Sequence, residues 1–235
     1  MSSQHLLITG STIGVALAEL FARDLDVEKI ILTWHKKPHP VISEKIELRQ
    51  SDLTNEADIE NLVKDCVRLD AVVNTLGILH GDSFAPEKTI RRFEPNQFLT
   101  TVETNCLPTL LLAKHTASLL KASPRAIFTS LSARVGSIGD NRAGGWYSYR
   151  ISKAALNMAV KNIAIEWSRN MPRCTVAALH PGTVSTPLSE PFVKSNRANV
   201  VTPEQAALNL KSVIDKLEPC QSGQLLAWDG TVIPW

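Results

Sequence analysis

Apolar residues in this chain fall into two alternating kinds of segment. Short continuous runs, Leu6–Thr9, Lys29–Thr33, Ile46–Leu48, Ala71–Val73, Ala126–Thr129, Cys174–Leu179 and Gln224–Trp228, predict strands. Between them, apolar positions return every three or four residues and predict helices over Val15–Arg23, Asn55–Arg68, Phe98–Leu120, Tyr149–Trp167 and Glu204–Leu217. In Asn55–Arg68, for example, Ile59, Leu62, Val63 and Cys66 form one helical face. Strands without polar alternation, separated by helices, belong to a parallel sheet covered on both faces. Nothing reads as a linker or an internal repeat, so the expectation is one doubly wound α/β domain over residues 1–235. Pro108 falls inside the 98–120 helix and predicts a kink there.

Composition narrows the picture by exclusion. Lys and Arg number 25 against 23 Asp and Glu, and no long basic run appears, so nucleic acid is not expected as a partner. No run approaches the length of a bilayer span, and the N-terminus is too short in apolar residues for a signal peptide. Cys66, Cys106, Cys174 and Cys220 are scattered, without CxxC or metal-ligand spacing. Reduced thiols in a cytoplasmic protein, with no membrane partner and no metal, are the expectation.

Two motifs carry chemistry. Thr9-Gly-Ser-Thr-Ile-Gly14-Val-Ala16 follows the first strand and opens the first helix. Glycines at 10 and 14 permit a tight turn, and the helix N-terminus offers N–H groups to a pyrophosphate. The spacing is G-x-x-x-G-x-A, and a structural hinge is the competing reading. Tyr149-Arg-Ile-Ser-Lys153 places a phenol and an ammonium one helical turn apart. A cation there lowers the phenol pKa, as a general acid for a carbonyl oxygen requires. An ordinary surface helix carrying Tyr and Lys is the alternative. After the second strand, Thr33-Trp-His-Lys-Lys37 has no acid and three potentially cationic groups, which suits the 2′-phosphate of NADP(H) better than NAD(H). The alternative is that these are solvated loop lysines.

Taken in order, these motifs resemble the short-chain dehydrogenase/reductase family over nearly the whole chain. The matching residues are Gly10 and Gly14, Asp52, Asn74-Thr-Leu-Gly77, Asn105, Ser132, Tyr149 with Lys153, and Pro181-Gly-Thr-Val-Ser-Thr186. Ser132-Ala-Arg-Val-Gly136 and the ending Trp228-Asp-Gly-Thr-Val-Ile-Pro-Trp235 are similar to the C-factor or sniffer-like carbonyl reductase branch. The resemblance implies a Rossmann-type domain and hydride transfer between a nicotinamide and a small carbonyl or alcohol. It implies Asn105, Ser132, Tyr149 and Lys153 as the catalytic set. It places the cofactor against Gly10, Ser11, Thr12, Ile13, Gly14, His35, Lys36, Asp52, Leu53, Asn74, Thr75, Leu76, Gly77, Tyr149, Lys153, Pro181, Gly182, Val184 and Thr186. Asp52 and Leu53 would flank adenine, and Asn105 would hold a water in a proton relay from Lys153. A homodimer or homotetramer is implied as well.

Two departures stand out. Thr75 and Leu76 replace the usual Asn and Ala, and Thr75 cannot make the same amide hydrogen bonds. The serine position is also unsettled. Ser132 opens the Ser-x-x-x-Gly pattern at the strand end, Ser137 is the alternative, and Ser130 reads as a buried strand hydroxyl. Trp146 and Tyr147 line a pocket or pack under the loop, and His180 reads as a strand-end residue. A dinucleotide-binding sensor with little turnover is the competing function. An epimerase or dehydratase with the same Tyr-x-x-x-Lys needs a larger C-terminal substrate domain, and the segment 187–201 is too short for one.

Overall fold

The computed structural model describes residues 3–81, 84–192 and 200–235; seven residues of the 187–201 segment, 193–199, lie outside them. Along the chain run β1 (Gln4–Ile8), α1 (Thr12–Phe21), β2 (Val27–Trp34), β3 (Ile46–Gln50), α2 (Glu56–Val63) and β4 (Ala71–Asn74). There follow α3 (Pro95–Lys121), β5 (Ala126–Leu131), α4 (Tyr147–Asn170), β6 (Cys174–His180), β7 (Thr183–Val184), β8 (Val200–Val201), α5 (Pro203–Asp215), β9 (Gln224–Ala227) and β10 (Val232–Ile233). Eight strands form one sheet in the order β10-β9-β6-β5-β4-β1-β2-β3. All pairings within it are parallel except β9 with β10. β7 and β8 form a separate two-stranded ribbon.

Apolar runs without alternation arise because both faces of this sheet are covered. Leu6 and Ile8 point into one core with Ile30, Leu32, Val73, Ile127 and Leu179 beneath α1 and α5. The intervening Leu7, Ile31, Val72, Phe128 and Ala178 point into the other, beneath α2, α3 and α4. Phe128 there meets the edge of Trp167 at 5.4 Å between ring centroids. On α1, Gly14, Leu17, Ala18 and Phe21 recur at helical spacing and are the buried face.

The expected helices are all present, with shifted ends. α2 stops at Val63, five residues short of the expected Arg68. The Arg49 guanidinium explains this. It donates to the Leu62 carbonyl at 2.6 Å and to the Asp65 carboxylate, ending the ladder from outside the helix. α3 runs on through Pro108 as one 27-residue helix, with the Thr104 carbonyl losing only the donor that proline lacks. Among the described residues, no helix is long and apolar enough to cross a membrane.

β1 has β2 on one side and β4 on the other, so the chain reverses its direction of winding between β1 and β4. Ligands of open α/β sheets bind outside the carboxyl ends of the strands at such a point.

Candidate active site

The loops after β1 and β4 meet at this switch point, and their sequences are stitched together. The Gly10 N–H donates to Thr33 Oγ1 at 3.0 Å. A Cβ on Gly10 would lie 1.9 Å from the Thr33 carbonyl oxygen, and one on Gly14 would lie 2.2 Å from that of Thr9. Only glycine allows this close a turn. Ser11 caps α1, its hydroxyl accepting from the Gly14 N–H at 3.0 Å.

Thr75, the departure noted above, has its own part in this turn. Its N–H donates to Thr9 Oγ1 at 2.6 Å, its hydroxyl donates to the Thr9 carbonyl at 2.6 Å, and Ser11 Oγ sits 2.7 Å away. Thr9 Oγ1 in turn donates to Asn74 Oδ1, Asn74 Nδ2 to Thr109 Oγ1, and Thr109 pairs with Ser130, each at 3.0 Å. Hydroxyls thus replace the expected amide and tie β1, β4, α3 and β5 into one buried polar chain. Ser130 is a member of it, which accounts for that residue as structural.

Across the cleft, α4 presents Tyr149 and Lys153 one turn apart. The Lys153 ammonium is buried and donates to the Leu131 carbonyl at 2.9 Å. It lies 6.0 Å from the Tyr149 ring centroid. Burial lowers Lys153 from 10.5 to about 8 and pushes Tyr149 up to about 12. The expected lowering of Tyr149 by Lys153 is therefore not found in this structure: the ammonium is turned to Leu131, and desolvation governs both groups.

Asn105 is buried on α3 and fully engaged. Its Oδ1 accepts from the Ile78 N–H at 2.7 Å, while its Nδ2 donates to the Ile78 carbonyl and to Ser152 Oγ, both at 2.9 Å. Ser152 Oγ then donates to the Tyr149 carbonyl at 2.8 Å. Asn105 thus couples the loop after β4 to the backbone under Tyr149.

Of the two candidate serines, only Ser132 lines the cleft with Tyr149. Its hydroxyl donates to Asn157 Oδ1 at 2.6 Å. Ser137 is buried and accepts from the Asp140 N–H, closing the loop. Between them, Gly136 presses on α4. A Cβ there would come within 2.8 Å of Lys153 Cβ and 3.0 Å of its carbonyl oxygen.

The cleft has two connected parts. One, of about 280 Å³, is bordered by Ser11, Thr12, Ile13, Thr75, Leu76, Gly77, Ser132, Tyr149, Lys153, Pro181 and Thr186. The other, of about 530 Å³, shares Leu188 with the first and adds Gly182, Val184, His180, Trp146 and Phe192. His35, Lys36, Asp52 and Leu53 lie beyond both. His35 Nε2 is 3.7 Å from Asp52 Oδ2, Lys36 is exposed, and the Leu53 side chain sits in the core. Hydrogen bonds from Thr54, then the His35 charge, hold the Asp52 carboxyl below its usual range.

Some neighbours of the site carry no local sequence signal. His39 Nε2 lies 2.7 Å from where a Gly10 Cβ would be, brought there by the loop after β2. Glu87 is buried, and its carboxyl accepts from both the N–H and the hydroxyl of Ser148. It caps α4 from outside the helix, one residue before Tyr149. Trp146 precedes α4 with φ of +51°, unlike any other non-glycine among the described residues. Its N–H donates to the Glu87 carbonyl, and its ring meets Phe192 at 5.2 Å and Tyr149 at 6.3 Å. Trp146 therefore lines the cleft, and Tyr147 does not. His180 borders it too; burial holds its ring near a pKa of about 4, hence neutral. Burial also pushes the Cys106 thiol up, leaving it inert beside Asn105.

A glycine cradle at the switch point, opening on a cleft that holds a phenol and a buried amine, defines a nucleotide-dependent α/β enzyme. A family model described as enoyl-(acyl carrier protein) reductase, of the short-chain dehydrogenase/reductase type, matches residues 9–217. The 1-hydroxy-2-glutathionyl-2-methyl-3-butene dehydrogenase of Rhodococcus sp. (strain AD45) is 36% identical over 189 residues, 78% of each chain. The carbonyl reductase Sniffer of D. melanogaster superposes over the full length of both chains with a TM-score of 0.83 at 24% identity. An NADPH-bound carbonyl reductase from chicken fatty liver gives 0.84 at 22% identity, over all of this chain and 95% of that one. The chain belongs to the short-chain dehydrogenase/reductase family and is an oxidoreductase; solved structures of the same fold hold NADPH, NADP or NADH.

Proposed function

We propose that the protein is an NADP(H)-dependent carbonyl reductase, with Tyr149 as general acid. One observation carries this reading: Tyr149 and Ser132 border the same cleft, with Lys153 beneath them and the glycine turn at its end. Because Gly10 and Gly14 lack a Cβ, the turn packs directly against the Thr33 and Thr9 carbonyls, and the cleft beside it would take a dinucleotide backbone between Ser11, Thr12 and Ile13 on one side and Thr75, Leu76 and Gly77 on the other. Val184 and Thr186 would contact the carboxamide. When bound, the nicotinamide supplies the hydride that reaches the substrate carbon.

The residues of the chain do the rest. Ser132 hydrogen-bonds the substrate oxygen and orients it. Tyr149 gives that oxygen its proton, so that hydride plus proton convert C=O to CH–OH. Burial raises the Tyr149 pKa, so the phenol carries its proton at neutral pH and has it to give. Lys153 would hold the ribose hydroxyls. Asn105 fixes the Ile78 loop and, through Ser152, the Tyr149 backbone. For NADP(H) over NAD(H), the support is the absence of an acid in Thr33–Lys37 and the presence of His35, Lys36 and Lys37. NADPH in the chicken relative points the same way. Trp146, Leu188 and Phe192 favour an apolar substrate. Exposed Ile151, Met158 and Ile165 on α4 and Leu99 and Leu110 on α3 support a homo-oligomer.

Tyr149→Phe should lower NADPH oxidation across a panel of aldehydes, ketones and quinones by about 10²–10⁴-fold. NADPH binding should persist in that variant. Undiminished turnover would remove Tyr149 from the mechanism. Tight NADPH binding by the wild-type protein without turnover of any panel member would favour a sensor instead.

A further inference from the structure

Tyr149, Lys153 and Asn157 follow one another at intervals of four residues on α4 and so share one face of the helix. The first two belong to the proposed chemistry, and the third touches Ser132. We propose that Asn157 is a positioning residue that directs the Ser132 hydroxyl proton. In one orientation of its amide Asn157 retains that proton, and in the other it releases the proton to the substrate oxygen. This inference rests on the reading of Ser132 as the group that orients that oxygen.

Ser132 and Asn157 are buried, at 4% and 3% exposure. Ser132 Oγ donates to Asn157 Oδ1 at 2.6 Å, whereas Asn157 Nδ2 has no partner among the described residues. A hydroxyl has a single proton. While Oδ1 holds it, Ser132 has only lone pairs to show the cleft, and a carbonyl oxygen, itself only an acceptor, finds no donor there. Half a turn of the amide exchanges Oδ1 and Nδ2 at almost unchanged shape. Nδ2 then donates to Ser132 Oγ, and the serine proton points into the cleft.

The exchange satisfies one of the two unmet buried N–H groups and leaves an unpaired acceptor in its place, the more readily tolerated of the two. A carbonyl substrate therefore favours the second orientation. An alcohol product, which brings its own O–H, can donate to Ser132 Oγ and favours the first. The hydrogen-bond chain reverses direction as C=O becomes CH–OH, with polarisation along it strengthening each link.

The test joins a double-mutant cycle to a direct view of the amide. With the panel member turned over fastest, Asn157→Leu should lower kcat by on the order of tenfold, with the KM for NADPH unchanged. In a Ser132→Ala background the same change should lower kcat no further. Losses that multiply in that background, or wild-type kcat in Asn157→Leu, would overturn the proposal. If Ser132→Ala itself keeps full turnover, the reading of Ser132 fails first, and the two failures are thereby told apart. In ¹⁵N-labelled wild-type protein holding NADP⁺, which has no hydride to give, adding acetophenone should move the Asn157 side-chain NH₂ protons downfield. Ser132→Ala should abolish that movement. An amide unmoved by acetophenone, or moved equally without Ser132, overturns the proposal even if Asn157→Leu fails to fold.

Discussion

The two walls of the cleft are built on opposite terms. Around the glycine turn, the side-chain polar groups of Thr9, Ser11, Asn74, Thr75, Thr109 and Ser130 are joined in one chain of hydrogen bonds. Around α4, a lysine is desolvated to a pKa of about 8 and a tryptophan is held at positive φ. Two of the buried polar atoms without a partner among the described residues, Asn157 Nδ2 and His180 Nδ1, also lie here. A wall that holds a phosphate backbone works best when nothing in it moves. A wall that handles a proton needs groups with capacity in hand, and it carries the strain and desolvation that this entails.

Steric change should break the first wall most severely. Gly10→Ala puts a methyl 1.9 Å from the Thr33 carbonyl. Overpacking of this kind costs the fold about 1–3 kcal/mol, read as a lower urea midpoint, and the displaced turn should also bind NADPH more weakly, as measured by calorimetry. Equal affinity in that variant would place the dinucleotide elsewhere.

The second wall is probed by pH. The Lys153 pKa is about 8 when folded, against 10.5 for the free side chain. Between these values the unfolded chain binds more protons, so this group makes stability rise with pH across that window. Lys153→Met should flatten the rise, as read from urea midpoints at successive pH values, and should be relatively more stable than wild type near neutrality. A pH slope identical to wild type would mean that Lys153 is not desolvated.

The smallest effect is expected from Thr75→Val, which removes the hydroxyl joining Thr9 and Ser11. Its loss should destabilise the fold by about 1 kcal/mol, and by up to about 3 if the Thr9 carbonyl goes unsatisfied. A wild-type melting temperature would show that the first wall is less tightly stitched than its hydrogen bonds indicate.

Much of this architecture is legible in the sequence because each strand core is a continuous apolar run and each helix has a periodic face. β7, β8 and β10 are not, since two residues carry no periodicity. α2 was overrun because Arg49, in a strand, takes one of its carbonyls. The glycine turn, Tyr149 and Lys153 are readable since their spacing is itself the chemistry. Glu87 and His39 are not, because each acts on residues that are distant in sequence or across a loop. Thr75 reads as a defect until the Thr9 and Ser11 hydroxyls around it are seen. The Tyr149 pKa was expected to fall because charge proximity can be read from spacing, whereas burial and the direction of an ammonium cannot.

Gly136 has a bearing on how such a site can change. Its contact with the Lys153 backbone locks the loop that carries Ser132 to α4, while residues 140–144, four positions further on, are all exposed. The lock separates two kinds of mutability. The loop beyond it is free to lengthen, shorten or exchange its side chains, and so to admit new substrates, while the spacing from serine to lysine stays fixed. A fold divided in this way can acquire a new specificity without having to rediscover its chemistry.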